Sequence, residues 1–228
     1  MLHYAPDNAS LIVRLALDHR GLDYQTVLVD RRARAQEQPA FRAMNPSGQI
    51  PVLETPHGPM SETGAILLYL ADTHGELGPG PTSALRAGFL KWLFFAANTL
   101  HPALRMMFYT DKYIAAGHRD ALRRGLSHHL QENLALIDAH AASRPGYLAD
   151  DAATVLDFYL AGLLRWPVLY PEDHDRSWFD LHSYPALLRL CTQIEALPAT
   201  ARLQSAEGLG DTPFTAPLRP TPPEGSAT

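Results

Sequence analysis

The stretch Asn45-Pro-Ser-Gly-Gln-Ile-Pro-Val-Leu-Glu54, followed by Ser61-Glu-Thr-Gly-Ala-Ile-Leu-Leu-Tyr-Leu-Ala-Asp72, decides how the first part of this chain folds. Pro51 stands at the head of a short apolar strand, where proline removes one donor from the strand ladder. A cis Ile50–Pro51 bond resolves this conflict, because a cis proline fixes a tight bend beside the strand. The next residue, Val52, is then expected to offer its backbone N–H and C=O to an extended ligand.

The second half of this stretch predicts an amphipathic helix that begins at Glu62 and Thr63. The first turn of a helix has unpaired backbone N–H groups and the positive end of the helix dipole, and both favour a bound carboxylate. A helix start beside a proline-led strand therefore indicates a site for a small anionic peptide. The residues expected to line this site are Gln49, Ile50, Pro51, Val52, Glu62 and Thr63.

Three motifs resemble the N-terminal domain of the cytosolic glutathione S-transferases, bacterial members included: Gln-Ile-Pro-Val-Leu at 49–53, Glu-Thr-x-Ala-Ile at 62–66 and Tyr-Leu-Ala-Asp at 69–72. A fourth, Thr154-Val-Leu-Asp157, is similar to the capping box that the family places at a buried helix of its second domain. The similarity extends from Met1 to about Ser205. Most members have Ser where this chain has Thr63, a change that keeps the hydroxyl.

The hydrophobic patterns and the resemblance together predict an α+β protein with two domains. Residues 1–75 are expected to form a thioredoxin-like domain of element order βαβ-α-ββ-α, and residues 76–83, rich in glycine and proline, a linker. Residues 84–211 are expected to form an all-α helical bundle. Residues 212–228, dominated by proline, glycine and small residues, predict a disordered tail. The helices predicted in the bundle are Ala84–Tyr113 with a kink at Pro102, His118–Ser143, Thr154–Tyr170 and Pro185–Leu197.

The composition argues against several classes of function. The net charge of −5 disfavours nucleic acid or an anionic membrane as the main partner. The single cysteine, Cys191, excludes an internal disulfide bond. No signal peptide and no apolar stretch of about 20 residues are visible, so the cytoplasm is the expected location. The 11 histidines form no ligand set with metal-binding spacing, so no metal is expected.

In the resembled family, the residue that activates glutathione lies near the end of the first strand or the start of the first helix. A free thiol has a pKa of about 8.5, so neutral donors and a helix N-terminus are needed to stabilise the thiolate. Ser10 is expected to be the foremost donor and Asn8 the second, although Ser10 also suits a helix cap and Asn8 a turn. Tyr4 is a third candidate, for which core packing is the competing interpretation. Ala9 falls where bacterial beta-class members have a cysteine, so no mixed disulfide is expected.

The resemblance implies a glutathione transferase that joins the thiolate of its co-substrate glutathione to a hydrophobic electrophile, a detoxification reaction. Two other functions stay open: a non-catalytic glutathione-binding or protein-interaction module on the same fold, and a glutathione-dependent disulfide reductase that uses two glutathiones. Family members pair as homodimers, and Phe89, Trp92 and Leu93 are apolar residues expected to be exposed for this contact. Most of the other apolar and aromatic residues of the same long helix are expected to be core, and the resemblance implies that part of them lines the electrophile pocket.

Overall fold

The computed structural model describes residues 1–227, and the first part of the chain forms a four-stranded mixed sheet of strand order β2-β1-β3-β4. The strands are β1 (Leu2–Tyr4), β2 (Thr26–Leu28), β3 (Val52–Thr55) and β4 (Gly58–Met60), and the helices are α1 (Ser10–Arg20), α2 (Pro39–Met44) and α3 (Thr63–His74). Strand β1 runs parallel to β2 and antiparallel to β3, and β3 forms a hairpin with β4. The predicted order βαβ-α-ββ-α is confirmed. The Ile50–Pro51 peptide bond is cis.

The second part of the chain is a bundle of helices, as predicted. They are α4 (Arg86–Phe95), α5 (His101–Phe108), α6 (Arg119–Ala142), α7 (Val155–Leu169), α8 (Pro185–Glu195) and α9 (Pro198–Glu207). The single helix predicted over Ala84–Tyr113 is instead interrupted by a π-helical turn, Ala96–Leu100, which ends two residues before Pro102. Proline cannot donate to the carbonyl four residues earlier, and a wider turn accommodates the missing bond. Over residues 1–227, no helix is both long and apolar enough to cross a membrane.

Helix α1 lies at the centre of the molecule, between α3 of its own domain and α7 and α9 of the bundle. Its side chains Leu11, Ile12 and Leu15 are fully buried in a core that both domains share. Gly162 of α7 permits the close approach of the two helices, because a Cβ atom there would lie 2.5 Å from Cγ1 of Ile12. The loop before α1 is therefore placed at the boundary between the domains.

The capping box expected at Thr154 is present at the start of α7. Oγ1 of Thr154 accepts a hydrogen bond from the N–H of Leu156 at 3.2 Å, and Oδ2 of Asp157 accepts one from the N–H of Thr154 at 2.8 Å. Burial raises the pKa of Asp157 to about 6. The box satisfies backbone donors that the buried helix start would otherwise leave unpaired, which agrees with the structural role expected for it.

The C-terminal segment packs against the protein over residues 212–227, so the prediction of a disordered tail is wrong for these residues, while Thr228 lies outside the described part of the chain. Phe214 is fully buried. Arg165 of α7 donates to the carbonyl of Pro213 at 2.8 Å. A proline-rich composition indicates that a segment cannot build its own core, but this segment is stabilised by contacts with the two domains.

The apolar residues Phe89, Trp92 and Leu93 of α4 are buried, with exposed fractions of 0%, 8% and 1%, and not exposed as expected for a dimer contact. The ring of Phe89 packs edge-on against Tyr147, with centroids 6.3 Å apart. This face of α4 packs into the bundle because burial of its large apolar side chains in the core is favourable. The expectation of a homodimer therefore rests on the resemblance alone.

Candidate functional site

A cleft of about 790 Å³ lies between the two domains. The first domain contributes one wall, from the loops before α1 and β3 and from the first turn of α3. Helices α4, α5 and the end of α7 contribute the other wall. The expected site residues that lie on these walls are Asn8, Gln49, Ile50, Pro51, Glu62 and Thr63. The fold thus brings them together, while their role as ligands of glutathione stays a prediction.

Val52 does not lie on the cleft wall, in contrast to its expected role. It is fully buried and is the register partner of His3 in the β1–β3 ladder, so its backbone is part of the sheet. Ile50 lies before the first residue of β3 and is on the wall. Because the strand begins directly after Pro51, the backbone outside the ladder is that of the residue before the proline.

The first turn of α3 lies on the cleft wall and has no side-chain cap. The helix begins at Thr63 after Glu62, whose φ of +72° is unusual for a residue other than glycine, and no side chain caps its first N–H groups. These groups and the helix dipole favour a carboxylate. Nearby, Nδ2 of Asn45 donates to the carbonyl of Gln49 at 2.8 Å and so holds the loop that carries Ile50.

Ser10, the donor expected to be foremost, is fully buried and is not on the cleft wall. Its hydroxyl donates to the carbonyl of Ala5 at 3.0 Å and accepts from the N–H of the same residue at 3.3 Å. It does not cap α1 either, because the N-cap position is Ala9 and no side chain bonds there. Ser10 therefore braces the turn between β1 and α1.

Tyr4 is also absent from the cleft wall, and the core-packing interpretation describes it better. The side chain is 2% exposed, its hydroxyl donates to Glu224 of the C-terminal segment, and the guanidinium of Arg14 lies 4.3 Å from its ring centre. Burial, followed by the contact with Glu224, raises the pKa of Tyr4 to about 12. This hydroxyl is engaged outside the cleft.

Asn8 is the expected donor that does reach the cleft. Its Oδ1 is buried and has no hydrogen-bond partner within residues 1–227. Ala9 lies beside it on the same wall, so no thiol or hydroxyl nucleophile occupies that position. An amide carries two donor hydrogens, which makes Asn8 able to supply a neutral hydrogen bond to a ligand in the cleft.

A buried polar cluster that sequence analysis missed holds the loop that carries Asn8. The carboxylate of Asp7 accepts from Nε of Arg165 at 2.8 Å, from Nε1 of Trp166 at 3.1 Å and from the hydroxyl of Tyr170 at 2.8 Å. The side chains of Asp7 and Arg165 are both 0% exposed. No local motif signals this pairing, because 158 positions separate the two residues.

His101 of α5 lies on the second wall of the cleft as a neutral imidazole. Its Nδ1 is 2.9 Å from the hydroxyl oxygen of Tyr159. Burial, and then the charge of Arg105, lowers the pKa of His101 to about 4. At neutral pH it can donate or accept a hydrogen bond but contributes no positive charge.

Cys191 is fully buried in α8, and burial raises the pKa of its thiol, which makes it unreactive. In the part of the chain that the structure describes, no group of three or more His, Cys, Asp or Glu residues is placed to hold a metal ion.

Comparisons with known proteins agree with this architecture. Residues 2–80 match the family model described as glutathione S-transferase, N-terminal domain. Glutathione S-transferase GST-4.5 of Xanthomonas campestris is 31% identical over 173 residues, which cover 72% of this chain and 81% of that protein. The disulfide-bond oxidoreductase YfcG of Escherichia coli is 27% identical over 218 residues, covering 92% and 96%.

A solved structure agrees as well. The sphingomonad glutathione S-transferase in complex with glutathione has a TM-score of 0.74 and 31% identity to this chain, over 92% of this chain and 99% of that one. With the same sheet and helical bundle, and with sequence identity over most of its length, the chain belongs to the glutathione S-transferase family.

Proposed function

We propose that this protein is a glutathione transferase that joins glutathione to an electrophile in the cleft. The observation that supports this best is the uncapped first turn of α3, which lines the same cleft as Ile50 and Asn8. In this proposal, the γ-glutamyl carboxylate binds the N–H groups and hydroxyl at Thr63, and its ammonium group binds Glu62. The cysteinyl backbone runs along Ile50, which directs the thiol toward the start of α1.

The reaction requires glutathione as its thiolate. The thiol proton leaves to solvent, and sulfur forms a bond to the electrophilic carbon while a leaving group such as a halide departs with its electron pair. A neutral hydrogen bond from Asn8 and the dipole of α1 together lower the pKa of the thiol by about one to two. No covalent bond to the protein forms, because Ala9 carries no nucleophile.

Replacing Asn8 with alanine is expected to raise the pKa of bound glutathione by roughly 0.4–1.1, because one neutral hydrogen bond to the thiolate is lost. The measurement is a titration of thiolate absorbance in the ultraviolet with glutathione at saturation. Ser10→Ala serves as the matched control, since Ser10 lies beside the same loop but off the cleft. It should lower the free energy of unfolding by about 1–3 kcal/mol and leave the pKa of the thiol unchanged.

The reverse result, in which Ser10→Ala raises the pKa of the thiol and Asn8→Ala does not, would refute this assignment. If Tyr4→Phe lost turnover while the Asn8→Ala and Ser10→Ala variants stayed active, Tyr4 would be the donor to the glutathione thiolate.

A second candidate function is glutathione-dependent disulfide reduction. The similarity to the oxidoreductase YfcG, which spans 92% of this chain, favours it. With Ala9 on the cleft wall and Cys191 buried, such a reaction has to use the thiols of two glutathione molecules. Assays of chlorodinitrobenzene conjugation and of hydroxyethyl disulfide reduction on one preparation separate the two functions. Glutathione binding without either activity would instead identify a non-catalytic binding module.

We also propose a cytoplasmic homodimer, as expected from the family. Sedimentation at micromolar concentration should then give about twice the chain mass of 25.1 kDa. A single species at the mass of one chain would contradict this prediction.

A further inference from the structure

The second wall of the cleft carries positive charge, although an apolar electrophile pocket is what the sequence predicts. Arg105 at the end of α5 and Lys112 in the turn after it both line the cleft. The guanidinium carbon of Arg105 lies 5.9 Å from the centre of the Tyr109 ring, and Nζ of Lys112 lies 4.9 Å from it. Both cations therefore lie near the same aromatic ring.

Within residues 1–227, neither cation forms an ion pair. Across residues 1–227, no carboxylate oxygen lies within 4.0 Å of the charged nitrogens of Arg105 or Lys112. Arg105 donates to the hydroxyl of Tyr113, which is a neutral acceptor. The positive charge at this wall is therefore available to a ligand.

Two acidic residues on the cleft wall, Asp7 and Glu172, pair with other cations. Asp7 pairs with Arg165 at 2.8 Å, and Glu172 pairs with Arg219 at 2.5 Å. Glu62 precedes α3 on the wall of the other domain. Over residues 1–227, none of these acids lies within ion-pair distance of Arg105 or Lys112, and Glu62 lies at the expected position of the glutathione ammonium group.

A third cation, Arg31, extends the same positive surface. Its Nη2 donates to the hydroxyl of Tyr109 at 2.9 Å and its Nη1 to the carbonyl of Ala227 at 2.6 Å. Like charges gathered in a cleft repel one another, and the field that they produce concentrates a ligand of opposite charge. Arg31 belongs to the basic run Arg31-Arg32-Ala-Arg34, and the local sequence does not show that the fold turns it toward the cleft.

We propose that the co-substrate is an organic acid whose carboxylate binds Arg105 and Lys112 and whose unsaturated or aromatic body packs against Tyr109. Arginine binds a carboxylate through two parallel hydrogen bonds, and lysine adds a point charge. This inference rests on the proposed function, since it names the chemistry of the molecule that glutathione attacks. A second glutathione presents the same carboxylate chemistry, so the test must separate the two sources.

Binding alone provides the first test, with two probes that lack a leaving group. 3,5-Dinitrobenzoate and 3,5-dinitrobenzamide have nearly the same shape and differ in charge, and calorimetry measures their affinity for the full chain saturated with glutathione. We expect the benzoate to bind about tenfold more tightly, as one charge-assisted contact implies. Arg105→Met and Lys112→Met should each reduce this preference severalfold, and raised salt should weaken it. Arg124→Met, which removes an exposed cation of α6 that does not line the cleft, should preserve it.

Turnover provides the second test, with 4-chloro-3,5-dinitrobenzoate and the corresponding benzamide. Arg105→Met should raise KM for the acid about tenfold and change KM for the amide by less than about twofold. If the protein bound the benzoate more tightly than the benzamide but turned over neither chloro compound, the proposed transferase activity would be refuted and the anion site would be retained. If both benzoates bind poorly but glutathione disulfide depends on Arg105 and Lys112, the bound acid is a second glutathione. Equal affinity for acid and amide, with no dependence of glutathione disulfide on either cation, would overturn the inference.

Discussion

Replacing Arg165 with methionine is expected to lower the free energy of unfolding by about 3–5 kcal/mol, the usual loss when one partner of a buried ion pair is removed. The carboxylate of Asp7 would stay buried, and it would keep only the neutral donors of Trp166 and Tyr170. The carbonyl of Pro213 would also lose the donor that holds the C-terminal segment. Urea unfolding followed by circular dichroism measures the change through the midpoint and the m-value.

An exposed ion pair provides the matched control. Arg34 is 72% exposed and pairs with Glu37 at 2.5 Å, so Arg34→Met removes the same type of side chain at the surface. Its expected effect is below about 1 kcal/mol. Adding Asp7→Asn to Arg165→Met should recover part of the lost stability, because it removes the unpaired charge. A loss below about 1 kcal/mol for Arg165→Met alone would contradict the central role given to this pair.

Replacing Thr63 with valine is expected to weaken glutathione binding roughly ten- to hundredfold, which corresponds to about 1.5–3 kcal/mol for a lost hydrogen bond to a carboxylate. Thr63 is the first residue of α3, lies on the cleft wall and is 7% exposed. Valine keeps the shape of the side chain and removes only the hydroxyl. Titration calorimetry with glutathione measures the affinity directly.

Two variants make this result specific. Thr63→Ser keeps the hydroxyl and should bind glutathione within a few-fold of the wild type. Thr192→Val removes a hydroxyl of α8 that donates to the carbonyl of Leu188 and does not line the cleft, so affinity should not change. Unchanged affinity in Thr63→Val would remove the first turn of α3 from the glutathione site and with it the strongest support for the proposed function.

The local sequence determined those features whose physics is local. The proline-led strand and the uncapped helix start at Thr63 depend on neighbours within a few residues, and so does the capping box at Thr154. The hydrophobic patterns and the family resemblance together predicted the two domains and their order of elements, because each pattern reflects which face of a helix or strand is buried. These predictions needed no knowledge of distant contacts.

Tertiary structure decided which of several plausible residues reaches the cleft. Ser10 and Asn8 have similar chemistry and lie two positions apart, but the bonds of Ser10 to Ala5 turn its hydroxyl into the core. The course of β3 excludes Val52 in favour of Ile50 in the same way. The direction of a side chain near a turn depends on hydrogen bonds that residue type alone does not predict.

The C-terminal segment and the charge of the cleft also depend on distant contacts. Residues 212–227 are held by partners such as Arg165, which donates to the carbonyl of Pro213. Arg165 also pairs with Asp7, from which it is separated by 158 positions along the chain. Arg31 from the first domain meets Tyr109 from the second. In the local sequence, each of these residues resembles a solvent-exposed residue of a loop or of a helix surface. These groups share a site only because the two domains pack against one another in the folded protein. Electrostatic and hydrogen-bonding energies depend on distance in space and not on separation along the chain.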